Sequence, residues 1–182
     1  MNTNETNQKD KKEEKPTLKS TIFTEDALYE MVYDRILNKT SYIKIDRMGH
    51  MEFFLEKAEI GGIKYVPYPP TYNLVQTGVI LFPSLPCPYE SEEEILAEIR
   101  AFINKYLDIS DVYEQIASYY VMFTWMYDKF NEVPYLRAIG DFGSGKSRFL
   151  QTIGILCYKP VFTGGATTPS PIFRIISEVK GT

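Results

Sequence analysis

Residues that build covalent or metal-bound frameworks are scarce in this chain of 182 residues, which has two cysteines, one histidine and one tryptophan. Cys87 and Cys157 lie far apart and match no metal-ligand spacing. We therefore expect two reduced thiols in a cytoplasmic protein, because disulfides are rare in the cytosol. His50 is the single histidine and is assigned no role.

Long apolar runs are also missing. The most apolar stretch, IASYYVMFTWMYDKF, is shorter than the roughly 20 residues of a membrane-spanning helix and is interrupted by polar side chains. Residues 1–20 lack the apolar core of a secretory signal and are predicted to be a disordered polar tail. The sequence therefore predicts a soluble protein with no membrane partner.

A large excess of one charge is absent too, since the formal net charge is -4. This balance argues against a basic surface over the whole chain for binding nucleic acid, although a local patch is compatible with an acidic total. The content of 44% hydrophobic and 14% aromatic residues is typical of a globular protein with a core.

Residues 21–90 are predicted to form a small α+β module. Alternation in SYIKIDR predicts one strand, MEFFLEKAEIGGIKYVPYPP predicts two strands joined at Gly61 and Gly62, and QTGVILFPS predicts a buried strand. The segment EDALYEMVYDRILN predicts a helix, because its apolar residues have helical spacing. These residues are Leu28, Met31, Val32, Ile36 and Leu37.

Residues 91–131 are predicted to be a helical segment that joins the module to the rest of the chain. Ser91 and Glu94 have capping-box spacing at the start of one helix, and Asp111 and Glu114 have it at the start of a second. The second helix is apolar on nearly every face, so it is predicted to be buried. Its aromatic residues could stack on bases, but core packing is the favoured interpretation. They are Tyr119, Tyr120, Phe123, Trp125 and Tyr127.

The motif that carries chemistry lies in IGDFGSGKSRFL, residues 139–150. Gly140, Gly145, Lys146 and Ser147 satisfy G-x-x-x-x-G-K-[ST], the pattern of a loop that holds nucleotide phosphates. Glycines let backbone N–H groups turn toward phosphate oxygens, the lysine reaches the β- and γ-phosphates, and the serine hydroxyl is a ligand for Mg²⁺. We therefore predict ATP and Mg²⁺ as cofactors, Lys146 as the catalytic residue and Ser147 as the metal ligand. The other candidate nucleotide-binding residues are Asp141, Phe142, Gly143, Ser144 and Arg148.

The surroundings of this loop predict the start of a P-loop α/β domain over residues 132–182. Residues 135–139 are predicted as a strand entering the loop, KSRFLQTIGILCY as a helix leaving it, and residues 161–163 as a second strand. A last helix is predicted after Ser170, its possible cap. Arg148 and Arg174 could contact phosphate or another subunit, with an exposed surface position as the default for each.

A complete P-loop enzyme also needs an acidic residue at the end of a second apolar strand, to hold Mg²⁺ through water. Beyond Ser147 the chain has one acidic residue, Glu178, and no apolar strand precedes it. Two parallel strands cannot bury both faces of a sheet. We therefore expect a truncated piece of a longer chain, with completion of the sheet by another chain as the alternative.

The segment WMYDKFNEVPYLRAIGDFGSGKSRFLQTIGILCYKPVFTGGATTPSPIFRII resembles the helicase-like P-loop ATPases, of the AAA+ or RecA-like class, of bacterial mobile elements and phages. The resemblance covers roughly residues 91–182. It implies an ATPase that acts on DNA in replication and assembles as a homo-oligomeric ring, with Gly181 and Thr182 similar to the first residues of the acidic strand. The residues that match the family's phosphate loop are Gly140, Gly143, Ser144, Gly145, Lys146 and Ser147.

Two other functions stay open on the sequence. One is a nucleotide-dependent switch with no role on DNA. The other is a non-enzymatic interaction module over residues 21–130, in which the phosphate loop is a relic.

Overall fold

The computed structural model describes residues 15–132, 134–164 and 167–179. Within them the chain is a mixed α/β protein with two β-sheets and five α-helices, in agreement with the α/β class predicted from the sequence. The strands are β1 (Thr17–Leu18), β2 (Thr21–Phe23), β3 (Ala27–Asp34), β4 (Lys39–Asp46), β5 (Met51–Leu55), β6 (Ala58–Ile60) and β7 (Ile63–Val66). The helices are α1 (Asn73–Gln76), α2 (Glu92–Tyr106), α3 (Asp111–Trp125), α4 (Lys146–Gly154) and α5 (Pro169–Val179), with a 3-10 turn at Tyr127–Lys129.

The larger sheet is antiparallel, with the strand order β2-β3-β4-β5. Its centre is a hairpin in which β3 and β4 pair along their whole length, from Ala27 opposite Asp46 to Asp34 opposite Lys39. Side chains alternate between the two faces of a strand. Met31 and Tyr42 therefore face the main core, while Leu28 and Ile45 lie on the opposite face.

The smaller sheet has the order β1-β7-β6, with β1 parallel to β7. Its β6–β7 hairpin confirms the predicted turn, where Gly61 and Gly62 have φ of +58° and +79°, values that glycine adopts without strain. Because β1 pairs with β7, the fold begins before the boundary predicted at residue 20. Residues 1–14 of the predicted tail lie outside the described residues.

The helix predicted over EDALYEMVYDRILN is wrong, since residues 27–34 form strand β3. Apolar residues occur on both faces of this strand, so part of the set also satisfies a helical period. Pairing with β4 on one side and β2 on the other decides the conformation, as tertiary context commonly overrides local propensity. Ile36 and Leu37 lie in the turn beyond β3, not on a helix.

Three further strands predicted from the sequence are not formed. Residues 135–139 have no regular secondary structure, and QTGVILFPS and residues 161–163 contribute one isolated antiparallel bridge, between Ile80 and Val161. A strand needs a hydrogen-bonded neighbour along its length. No such neighbour of residues 135–139 exists within the described ranges. The predicted order of strand, loop, helix, strand and helix is therefore present as loop and helices only.

The first turns of α2, α3 and α5 test the N-caps predicted from the sequence. Ser91 Oγ accepts the N–H of Glu94 at 3.2 Å, which confirms the cap of α2. In α3 the prediction is wrong: Asp111 is the first helical residue, and Glu114 is buried in an ion pair with Arg100. Helix α5 begins at Pro169, so Ser170 lies inside its first turn and is not its cap.

Two apolar cores hold these elements together, and neither follows the predicted segment boundaries. The first joins both sheets to α1 and α5, and includes Val179 beside Met31 and Tyr42. The second lies between α2, α3 and α4, around Ile103, Val121 and Ile153. Helices α2 and α3 of the predicted helical segment therefore share one core with α4.

Helix α3 is only partly buried, in contrast to the prediction. Ala117, Ser118, Val121 and Thr124 form its buried face together with Glu114. Ala117 and Val121 on this face pack in the second core with α2 and α4, and Glu114 pairs with Arg100 of α2. The aromatic residues of α3 differ in exposure. Tyr119 and Trp125 are about half exposed, at 52% and 50%. Tyr120 packs against the second core, and Phe123 packs on the rings of Tyr120 and Phe130.

Candidate functional site

The candidate site is the loop of residues 140–147 at the start of α4. Gly145 is the N-cap of α4 with φ of +83°, and Gly143 has φ of +79°. These left-handed conformations strain any residue with a side chain, which explains glycine at both positions. The loop thus curls sharply and ends at a helix N-terminus, where unpaired N–H groups and the helix dipole attract anions.

The Lys146 side chain contacts the backbone of its own loop. Its ammonium donates hydrogen bonds to the carbonyl of Gly140 at 2.8 Å, to the carbonyl of Asp141, and to Ser144 Oγ at 3.3 Å. The positive charge therefore lies beside the curled backbone, close to Gly140, Asp141 and Ser144. An anion held by the loop would meet this charge at short range.

Close packing also restricts Gly140. A Cβ atom built on it would lie 2.6 Å from Ser144 Oγ and 3.3 Å from Ser144 Cβ, so a side chain there would displace Ser144. The outer residues of the loop are open to solvent. Asp141 and Ser147 are exposed, and Phe142 is fully exposed.

Helix α4 is attached to the α2–α3 pair at both of its ends. Near the loop, Arg148 Nε donates to the carbonyl of Tyr106 at 3.1 Å, at the C-terminus of α2. Beyond the other end, Trp125 Nε1 donates to the carbonyl of Leu156 at 2.9 Å. Between these bonds, Ile153 enters the second core. Arg148 is exposed, which is the default expected from the sequence, and it contacts the C-terminal end of α2.

The chain leaves α4 through a buried polar cluster that the sequence did not reveal. Lys159 is 1% exposed, and its ammonium lies 2.7 Å from Glu30 Oε1 on β3. It also donates to Thr21 and to Ser20 Oγ, and Tyr158 donates to Glu30 Oε2 at 2.9 Å. Burial raises the pKa of Glu30 and lowers that of Lys159, because removal from water disfavours both charges, while their mutual attraction opposes both shifts.

The candidate residues Arg174 and Glu178 lie on α5, outside the loop of residues 140–147. Glu178 on α5 accepts a hydrogen bond from the Tyr72 hydroxyl at 2.7 Å, which ties α5 to the region after β7. Arg174 is exposed on α5. Gly181 and Thr182 lie outside the described residues. Among the described residues, no three His, Cys, Asp or Glu side chains gather as metal ligands.

A cleft of about 800 Å³ separates the outer face of the larger sheet from the segment that follows α4. One wall consists of sheet residues such as Phe23, Leu28 and Ile45, and the other includes Met126 and Ile155. The lining comes from five separate segments of the chain, so no sequence pattern signals it.

Comparisons of the chain with protein-family models, with curated proteins and with solved structures found no match. No helix in the described ranges is long and apolar enough to cross a membrane. The function therefore rests on the chemistry of the loop.

Proposed function

We propose that the chain binds the nucleoside triphosphate ATP through the loop of residues 140–147, and that the protein is a P-loop ATPase. Lys146 would contact the β- and γ-phosphates, and the Ser147 hydroxyl would ligate the accompanying Mg²⁺. Electrostatic stabilisation of the phosphoryl group by the lysine is the chemistry such a loop supplies.

The observation that carries this proposal is the joint placement of the motif residues. Two left-handed glycines curl the backbone, Gly140 leaves no space for a side chain, and α4 begins at Lys146. Each feature suits a ring of N–H groups around an anion. A glycine turn with only a structural role would not need a lysine held over the loop.

Hydrolysis needs a carboxylate beside the metal and the attacking water. Glu178 does not fill that position here, because its carboxylate bonds to Tyr72. The part of the proposal that stands on this chain's own residues is therefore nucleotide and Mg²⁺ binding. ATP hydrolysis and action on DNA in replication are proposed from the resemblance of residues 91–182 to helicase-like ATPases.

Titration calorimetry with Mg-ATP tests the binding step. We expect the wild-type chain to bind and Lys146→Ala to bind at least about tenfold more weakly, because a charge-assisted hydrogen bond contributes about 1.5–3 kcal/mol. Lys105→Ala, which removes an exposed lysine from α2, is the matched control and should bind like wild type. A folded wild-type chain without Mg-ATP binding, or equal affinity in Lys146→Ala, would overturn the proposal.

The DNA role has a separate test. A helicase-type protein should bind single-stranded DNA with an affinity that falls as salt rises, because phosphate contacts release counterions. Fluorescence anisotropy with labelled oligonucleotides at two salt concentrations measures this. Mg-ATP binding without salt-sensitive DNA binding would favour the nucleotide-dependent switch.

A further inference from the structure

Helix α3 carries bulky apolar side chains on the face that points to solvent. Val112, Ile116, Tyr119 and Phe123 follow one another at intervals of four, three and four residues. With about 100° of rotation per residue, they lie within about 60° of one another around the helix axis. Val112 is 64% exposed, Ile116 and Tyr119 are about half exposed, and Phe123 is partly exposed. We call these four residues the outer stripe of α3.

The buried face of α3 has the opposite character. It consists of Glu114, Ala117, Ser118, Val121 and Thr124, which are all polar or small except Val121. The centres of the two faces are about 180° apart around the helix axis. A helix at the surface of a globular protein normally turns its apolar stripe toward the core. The reversed arrangement in α3 indicates that the outer stripe is a contact surface for a partner.

The outer stripe belongs to neither of the two apolar cores within the described residues. The second core takes Ala117 and Val121 from α3, with Tyr120 packed at its edge. The ring of Phe123 lies 4.8 Å from that of Phe130, which is itself half exposed. Phe130 therefore extends the exposed apolar surface beyond the end of α3 instead of covering it.

The spacing of the outer stripe fits a second α-helix. Alternating intervals of three and four residues are the heptad pattern with which two helices pack side by side, each side chain seated among four residues of the partner. Helix α3 has 15 residues, so it offers a partner about 22 Å of helix length. The side chains of a β-strand repeat every two residues and do not match this pattern.

The charges of α3 restrict the partner further. The helix has two acidic residues, Asp111 and Glu114, and no lysine, arginine or histidine. Glu114 is paired with Arg100, while Asp111 is exposed and acts on Arg100 only at longer range. A nucleic acid would find no cation on α3 for its phosphates, and α3 of a second copy would bring only a further acid. A helix with basic residues beside its apolar stripe complements Asp111.

We infer that the outer stripe of α3 binds an amphipathic α-helix of a different polypeptide, which has apolar residues in a heptad pattern and basic residues beside them. The partner helix covers the apolar side chains that α3 exposes alone, and one of its basic residues pairs with Asp111. The buried face of α3 packs with α2 and α4, so the partner binds on the side of α3 that faces away from them. The inference does not rest on the proposed nucleotide function.

Fluorescence anisotropy with a labelled synthetic peptide tests the site. The peptide has three heptads, with leucine at positions a and d, lysine at e and g, and alanine or glutamine elsewhere. The wild-type chain binds it with one-to-one saturation. The double variant Ile116→Gln with Tyr119→Gln binds it at least about tenfold more weakly, because apolar contact area is lost without a change in charge. Phe173→Gln, at an exposed apolar residue of α5, is the matched control and binds like wild type.

The double variant is expected to stay folded. Both replaced side chains are about half exposed, and glutamine is a good helix former. Circular dichroism checks the helix content of both variants.

Two further peptides separate the apolar pattern from the charge. A peptide of the same composition, with its leucines shuffled so that they share no face, binds wild type at least about tenfold more weakly. A peptide with glutamate instead of lysine at e and g also binds more weakly, and Asp111→Asn reduces the difference between the lysine and glutamate peptides.

Several results would overturn the proposal. They are a folded wild type that does not bind the heptad peptide, equal affinity for the shuffled peptide, unchanged affinity in the double variant, or a preference for lysine that Asp111→Asn leaves intact. Sedimentation velocity and anisotropy with single-stranded DNA examine the other occupants. Self-association or salt-sensitive DNA binding that the double variant abolishes would assign the outer stripe to a second copy or to a nucleic acid, and would also overturn it.

Discussion

Lys159 Nζ lies 2.7 Å from Glu30 Oε1, and this buried pair joins the segment just after α4 to the middle of β3. Lys159 has φ of +42°, an uncommon conformation for a residue with a side chain. Three further partners, Ser20, Thr21 and Tyr158, complete the cluster. The segment that follows α4 is thus attached to the larger sheet.

Replacing one member of this pair should destabilise the protein strongly. We expect Lys159→Met to lower the free energy of unfolding by about 3–5 kcal/mol, because it leaves the Glu30 carboxylate buried without its cation. The double variant Lys159→Met with Glu30→Gln should recover most of the loss. Guanidinium unfolding curves measure both. Lys57→Met is the control, since it breaks an exposed pair with Glu59 and should change little.

Two glycines with similar positive φ allow the role of the loop in binding to be separated from the cost of backbone strain. Gly145 has φ of +83° and Gly62 has φ of +79°, and an added Cβ at either would meet open space. Alanine at each position should therefore cost a similar backbone strain, about 1–2 kcal/mol of stability. Only Gly145→Ala should weaken Mg-ATP binding, by about tenfold or more, in calorimetry. Equal nucleotide affinity in the two variants would remove Gly145 from the binding site.

The two thiols should differ sharply in reactivity. Cys87 is exposed, whereas Cys157 is buried, and burial raises the pKa of Cys157 to about 11. At pH 8 a thiol reagent should modify one cysteine of the native chain quickly and the second only after denaturant is added. A Cys87→Ser variant should show no fast modification, and two equally fast thiols in the native chain would contradict the burial of Cys157.

The raised pKa of Cys157 predicts that the protein loses stability as the pH becomes alkaline. The unfolded thiol ionises near its ordinary pKa, while the folded thiol keeps its proton until about pH 11. The stabilisation is therefore present below the unfolded pKa and is lost as pH rises through the folded value. Compared with Cys157→Ala, wild type should lose stability more steeply across this range in urea titrations.

Arg148 should act on the position of α4 more than on nucleotide. Its Nε bonds to the carbonyl of Tyr106, so Arg148→Ala should lower stability by no more than about 1 kcal/mol. Mg-ATP affinity should change far less than in Lys146→Ala. Calorimetry of both variants under the same conditions compares their affinities for Mg-ATP. An equal loss of affinity would indicate that Arg148 contacts the phosphates.

Local patterns predicted the parts of this fold that local chemistry determines. The β6–β7 turn follows from Gly61 and Gly62, the start of α2 follows from Ser91 and Glu94, and α4 follows the glycine-lysine-serine motif. These features depend on backbone conformation and neighbouring side chains, which short stretches of sequence encode.

Features that depend on distant partners escaped prediction. The sequence of strand β3 predicts a helix, because its apolar residues fit the helical period as well as the strand period. Pairing with its two neighbouring strands decides between the two conformations. Residues 135–139 read as a strand from their apolar character, yet no described strand pairs with them, and Tyr135 and Ile139 are 94% and 84% exposed. The cleft and the Glu30–Lys159 pair join segments more than 100 residues apart, which no spacing rule detects.

The attachment of α4 at two points has a mechanical consequence. With nine residues at a rise of about 1.5 Å each, α4 is a stiff rod of about 14 Å, held near one end by Arg148 and just past the other by Trp125. If the bond at Arg148 opens while the one at Trp125 holds, the rod behaves as a lever that pivots at Leu156. Lys159, three residues beyond that pivot, would then carry the motion of the loop into β3.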